Sequence, residues 1–174
     1  MSTIHVCPMS LLGETVRITG ARDVVTLMMR APDIPNALSF GAERQLVVDI
    51  ADIVEPLEGY VLAEAMHIEE LLGFTRAWSR GAPLIMHCFA GISRSTAAAY
   101  IAACDLDADR NEDEIAQELR RASPTATPNR RLIALADDIL GRRGRMVDAV
   151  RTIGRGEDAF EAHPFSLWLN ERQG

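Results

Sequence analysis

Apolar residues in the first half of the chain fall into short continuous runs, whereas in the second half they recur at helical spacing. Ile4 to Pro8 reads as a first strand, and Ser10 to Thr19 as a helix stopped by Gly20. Val24 to Met29 and Leu46 to Ile50 are β-branched runs suited to strands covered on both faces. Ala31 to Gly41, with two prolines, an asparagine and a glycine, reads as a loop between them. Leu62 to Ser79 has helical spacing, and Pro83 to Met86 is a further strand. Beyond it four helices are predicted: Thr96 to Cys104, Asn111 to Ala122, Asn129 to Leu140 and Met146 to Ile153. Asn111 with Glu114 suits a helix start, since a side-chain oxygen and acidic residues both satisfy the free N–H groups there. Strands alternating with helices imply an α/β fold of three layers. The expected sheet is mostly parallel, of about four to five strands, and the C-terminal part is expected to be helical.

Length and composition narrow this further. The 174 residues suit a single domain, 1–174, with the stretch after about residue 140 a helical extension. Three cysteines, Cys7, Cys88 and Cys104, without paired spacing, and the absence of a signal-peptide pattern, point to a reducing cytoplasm. The apolar stretch from Ala97 to Cys104 is far too short to span a bilayer, so no membrane role is expected. A net charge of −7 argues against nucleic acid as a partner. All 18 basic residues are arginine. Asp105, Asp107 and Asp109 have the spacing of a calcium loop, but Arg110 occupies the required glycine position and Ala116 the twelfth. The histidines His5, His67 and His163 show no ligand spacing, so no metal site is expected.

The chemistry concentrates in Ile85-Met86-His87-Cys88-Phe89-Ala90-Gly91-Ile92-Ser93-Arg94-Ser95-Thr96. A strand leads in and an alanine-rich helix leads out. At such a junction successive N–H groups converge and the helix end carries partial positive charge, which suits a tetrahedral oxyanion. A cysteine attacks as its thiolate, and the loop N–H groups, the helix end and the Arg94 guanidinium all favour that anion at Cys88. Arg94 can fork over two phosphoryl oxygens, as a lysine cannot. Gly91 stands where a side chain would obstruct the site or where φ needs to be positive. Ser95 can donate its hydroxyl to the sulfur when the thiolate leaves an intermediate. His87 suits an orienting group that hydrogen-bonds the loop backbone.

His-Cys-x5-Arg-Ser resembles the signature of the cysteine-dependent protein tyrosine phosphatases, closest to the compact dual-specificity branch and its bacterial relatives. The core signature covers residues 87–95, and the order of elements is similar over roughly residues 4–140. The resemblance implies a phosphomonoester hydrolase acting through a phosphocysteine intermediate. In it Cys88 is the nucleophile, and Phe89, Ala90, Gly91, Ile92, Ser93 and Arg94 bind the phosphoryl oxygens. No cofactor is implied, and the expected partner is a phosphorylated protein or small phosphomonoester. The uncharged residues Phe89, Ala90, Ile92 and Ser93 lack the lysines that relatives use for polyanionic lipid headgroups.

The family also uses an upstream aspartate to protonate the leaving oxygen. Val48 to Pro56 ends a strand and enters a loop, where Asp52 is the preferred acid. Asp49 is the alternative, expected within the strand. The acidic stretch from Asp52 to Leu62, with its Pro56-Leu57-Glu58-Gly59 turn, departs from compact relatives. Asn129 fits two roles, an ordinary N-cap and a brace for the nucleophile loop. Cys7 fits a small buried residue or a partner for reversible disulfide formation with Cys88. Phe40 fits a core residue or an aromatic wall. Two rivals to the enzyme stay open: a catalytically inactive phosphate-binding module, and another cysteine-loop enzyme such as a sulfurtransferase or arsenate reductase.

Overall fold

The structure, a computed structural model, describes residues 2–29 and 34–170. The expected loop Ala31 to Gly41 therefore lies partly outside the described residues; its described part carries a short 3-10 turn, Ala37–Phe40. In chain order the elements are β1 (Ser2–Pro8), α1 (Leu12–Thr19), β2 (Asp23–Leu27), β3 (Arg44–Val48), α2 (Ala65–Arg76), β4 (Leu84–Cys88), α3 (Arg94–Leu106), α4 (Glu112–Ala122), α5 (Arg130–Ile139), α6 (Arg145–Ile153) and β5 (Phe165–Leu169). The strands form one sheet in the order β3-β2-β4-β1-β5. The first four are mutually parallel, and β5 runs antiparallel to β1.

The expected α/β fold is the one observed, with one difference at the C-terminus. The chain beyond residue 140 is not a helical extension throughout: α6 is followed by β5, which pairs with the edge of β1. Its period-two burial explains why it is a strand, since Leu167 and Leu169 are buried while Trp168 between them is half exposed. Helix α2 also begins later than its spacing suggests. Val61 accepts a hydrogen bond from Ala51 N–H at 2.8 Å, so residues just before α2 close a loop instead of opening a helix.

Alternation along the strands sorts the core into two layers. Ile4 and Val6 of β1, Val25 and Leu27 of β2, and Leu84, Met86 and Cys88 of β4 face the larger core. Cys7, Val24 and Ile85 face a smaller one closed by Leu12 and Val16 of α1. Helix α3 lies in the larger layer with every residue from Ser95 to Cys104 buried. A helix buried on all sides must be narrow, and Ala97, Ala98, Ala99, Ala102 and Ala103 make it so. This helix fixes the loop at its N-terminus to the middle of the sheet.

A polar chain crosses the smaller core. The Gln45 carbonyl accepts from Ala37 N–H at 2.9 Å, which orients its amide so that Nε2 donates to Thr26 Oγ1 at 2.8 Å and to the Pro35 carbonyl at 3.0 Å. Thr26 Oγ1 lies 2.7 Å from His87 Nε2. The Thr26 hydroxyl links the Gln45 amide to the His87 ring. His87 is thus anchored through Thr26 on the neighbouring strand, a partner its sequence position does not suggest. Burial holds its pKa down to about 4, with the Cys88 backbone opposing that shift and Arg94 adding to it.

Cys7 and Cys88 occupy adjacent strands, yet they belong to opposite faces. Cys7 is in register with His87, and Pro8 with Cys88, so the two thiols point to different cores. Burial pushes the Cys7 thiol up to about 12.

Two outcomes are expected. Peroxide treatment followed by disulfide mapping should yield no Cys7–Cys88 bridge; its recovery would mean that the strand ends rotate. His87, neutral when folded, should erode stability on acidification: with 6.5 falling to about 4, the unfolded chain binds the extra proton as pH drops through that window. Urea unfolding of a His87→Asn variant should therefore show about 3 kcal/mol less loss between those limits than the parent. Parallel pH dependence in both proteins would contradict a neutral His87.

Candidate active site

The segment between β4 and α3 wraps around the Cys88 side chain. Its carbonyl groups face outward and are engaged by the scaffold. Met9 N–H donates to Phe89 O at 3.0 Å, Ala162 N–H to Ala90 O at 2.8 Å, Thr127 N–H to Ile92 O at 2.9 Å and Asn129 N–H to Ser93 O at 3.2 Å. Thr96 Oγ1 adds contacts to Ile92 O and Ser93 O at 2.6 and 2.9 Å. The N–H groups of residues 90–93 donate to no protein acceptor among the described residues. This is the polarity expected of an anion-binding loop at a helix N-terminus.

Gly91 makes the wrap possible in two ways. Its φ of +71° is in the left-handed region, and a Cβ there would sit 2.9 Å from Pro8 N and 3.0 Å from Cys7 C. The obstruction that glycine avoids is therefore the β1 backbone. Inside the loop, Cys88 Sγ lies 3.1 Å from Ser95 Oγ, and both residues are buried. Arg94 Nη1 donates to the Ile50 carbonyl at 3.1 Å, while its Nε is buried without a hydrogen-bond partner. A buried guanidinium N–H left open is a donor available to an oxyanion.

Asp52 reaches the same loop from the far side. Ser93 Oγ donates to Asp52 Oδ1 at 2.7 Å, and Asn129 Nδ2 donates to the same oxygen at 2.8 Å. Asn129 fills both roles open in its sequence, because its Oδ1 also caps α5 by accepting from Arg131 and Leu132 N–H at 3.0 and 3.2 Å. Its side chain braces Asp52, and its main-chain N–H braces the loop. The Asp52 loop is closed at its base by the Ala51–Val61 hydrogen bond and rooted to Arg94 through Ile50 O. Asp49 lies one residue beyond the end of β3 instead of within the strand, and Ser93 and Asn129 hold Asp52 rather than Asp49. A cavity of about 980 Å³ adjoins Asp52, Ser93 and Asn129, walled by Leu57, Ile133 and Val150.

Phe40 is not at the site. It packs on Gly13 of α1, where a Cβ would lie 3.1 Å from its ring, and belongs to the smaller core. The aromatic residues at the loop are Phe89 and Phe160, edge to face with centroids 6.3 Å apart. Phe160 and Ala162 come from the segment after α6, which the sequence reading leaves outside the site. Their signal is faint: one aromatic among Glu157, Asp158 and Glu161, with no periodicity to mark it.

No family profile and no curated protein matches the sequence. Solved structures do match. Over 80% of this chain and 90% of the other, Tk-PTP in its active form is similar at 19% identity with a TM-score of 0.58. Human DUSP28 is similar over 80% of this chain and 94% of its own, at 17% identity and a TM-score of 0.61. DUSP15 covers 86% of this chain and 89% of its own, at 14% identity and a TM-score of 0.62. At such identities the likeness is one of architecture. The chain accordingly has the fold of the cysteine-dependent protein tyrosine phosphatases and their dual-specificity branch.

Proposed function

We propose that this protein is a cysteine-dependent phosphomonoester hydrolase of the protein tyrosine and dual-specificity type. The observation that carries the reading is that the N–H groups of residues 90–93 and Arg94 Nε, in the loop that follows Cys88 and at the start of α3, donate to no protein acceptor among the described residues. Donors fixed in advance around the position of a developing charge stabilise it without reorganisation. In the first step the Cys88 thiolate attacks phosphorus in line with the ester oxygen. The P–O bond breaks, its electron pair passes to the leaving oxygen, and Asp52 supplies the proton. Asp52 Oδ1 already accepts two hydrogen bonds, so Oδ2 is the oxygen that carries the transferable proton. In the second step a water gives a proton back to Asp52 and attacks the phosphocysteine. The S–P bond breaks, its electrons return to sulfur, and the Ser95 hydroxyl stabilises the restored thiolate.

His87 acts as a positioning residue, held neutral and oriented by Thr26. The uncharged loop favours a phosphorylated protein or small phosphomonoester over polyanionic headgroups. The three free, buried cysteines support a reducing, cytoplasmic setting.

The test is steady-state hydrolysis of aryl and alkyl phosphates. Wild-type protein should turn both over and Cys88→Ser neither. Phosphate or vanadate binding without turnover would favour an inactive binding module instead. Asp52→Asn should lower kcat by about 10²- to 10⁴-fold, more steeply for the poorer alkyl leaving group. Asn129→Ala should lower kcat by about tenfold with the same leaving-group dependence, since it loosens Asp52 without removing it. A loss independent of the leaving group would assign Asn129 to the loop alone.

A further inference from the structure

The cavity beside Asp52 is built by parts of the chain that lie far apart in sequence. One wall, through Pro56 and Leu57, is the turn by which the acidic stretch after Asp52 departs from compact relatives. The other comes from α6, which follows residue 140, and from the first turn of α5. Val147, Val150 and Arg151 recur at helical spacing, so one stripe of α6 borders the space, and Arg130 and Ile133 do the same for α5. Together these walls bound about 980 Å³, at the upper end of the range for sites that hold small organic molecules.

Two features of the lining are left without a role in the fold. The first is apolar: Leu57 and Val147 stay 54% and 38% exposed at the cavity, although covering them is favourable. The second is charge. Arg130 is the first residue of α5, where the helix end repels a cation, and its guanidinium has no hydrogen bond or ion pair among the described residues. Its neighbour Arg131, by contrast, is engaged, with Nε donating to the Ala63 carbonyl at 2.6 Å. Arg151 and Arg155 add two further cations, paired with the exposed aspartates Asp148 and Asp158. Exposed pairs of this kind are weak and exchange readily for another anion. The carboxylates of the lining, Asp52 and Glu55, belong to the loop wall instead.

We infer that this cavity is a leaving-group subsite for a small amphiphilic phosphomonoester, one whose apolar body ends in a carboxylate, with Arg130 as the specificity-determining cation. The inference rests on the phosphatase reading and deepens it. The ester oxygen faces Asp52, so the body attached to that oxygen begins where the cavity begins. Leu57, Val147 and Val150 cover its apolar part, and the arginines on the helix wall take its anionic end. A concave, mainly apolar site with few charged groups suits a small molecule, whereas a protein partner needs a broad surface. A single carboxylate also agrees with the uncharged residues 89–93, which offer no cation to a polyanionic headgroup.

The experiment is calorimetric titration of the full chain with methylphosphonate, octylphosphonate and ω-phosphonooctanoate, which requires no turnover. Octylphosphonate should bind at least about tenfold more tightly than methylphosphonate through the apolar area it covers. The terminal carboxylate should add about two- to fivefold at low salt. Val147→Trp, which fills the space, should lower the octyl-to-methyl ratio by about threefold or more. Arg130→Glu should abolish the gain from the carboxylate and keep the gain from the chain. Each variant is read as a ratio, so a general loss of loop structure cancels. Equal affinities for the methyl and octyl compounds, a chain-length ratio undiminished in Val147→Trp, or a carboxylate gain that persists in Arg130→Glu overturns the assignment. So does binding of the long phosphonates that vanadate fails to displace, because the site is then separate from the loop. A phosphoserine peptide hydrolysed with a higher kcat/KM than the phosphate ester of ω-hydroxyoctanoate overturns the small-molecule assignment. Hydrolysis of phenyl phosphate by a protein without chain-length preference refutes the subsite alone, whereas chain-dependent phosphonate binding without turnover supports the subsite and counts against the hydrolase.

Discussion

A strand-to-helix loop can offer its N–H groups to an anion only if its carbonyl groups are turned away and satisfied elsewhere. A buried carbonyl left without a donor costs about 1–3 kcal/mol. Here four separate regions of the chain supply those donors: the turn after β1 through Met9, the first turn of α3 through Thr96, the segment before α5 through Thr127 and Asn129, and the C-terminal segment through Ala162. Each engages loop carbonyl oxygens, while the N–H groups of residues 90–93 have no protein acceptor among the described residues. The concave donor surface around Cys88 is a consequence of this outward pinning, and the rest of the fold can be understood as the frame that does it.

The frame works because the loop lies between two cores. On one side α3, narrow and alanine-rich, fits against the sheet so that its N-terminus meets the end of β4. On the other, the Gln45–Thr26–His87 chain passes through the smaller core and orients the residue directly before Cys88. Gly91 joins the two by letting the loop touch the β1 backbone. Asp52 depends on the same frame at one remove. Ser93 belongs to the loop and Asn129 caps α5, so Asp52 is registered against the segment that follows Cys88.

Much of this was legible in the residues, for reasons that can be stated. The parallel strands are fully buried and read as unbroken apolar runs, and the helices of the second half carry strong periodicity. Cys88 and Ser95 lie close in sequence, so short-range geometry brings Ser95 Oγ to the sulfur. The placement of Asp52 in a loop was legible because it follows the end of a strand, and its contact with Ser93 is what the structure adds. What escaped depends on long-range contacts: the pairing of β5 with β1, the Thr26 partner of His87, the bond from Asn129 to Asp52, and the return of Phe160 to the loop. Five residues of mixed apolar character do not announce a strand until an edge is available to pair with. Nor does the register that puts Cys7 and Cys88 on opposite faces appear in their separate sequence neighbourhoods.

The central claim is that the donors surrounding Cys88 serve a covalent phosphoryl transfer to its sulfur. The measurement that tests this most directly is rapid acid quench of Asp52→Asn protein during turnover of an aryl phosphate, followed by intact-mass and peptide mapping. The account predicts one added phosphoryl group, located on Cys88 and absent in the Cys88→Ser background. Turnover with no phosphoryl adduct on Cys88, or with the adduct on another residue, would contradict it.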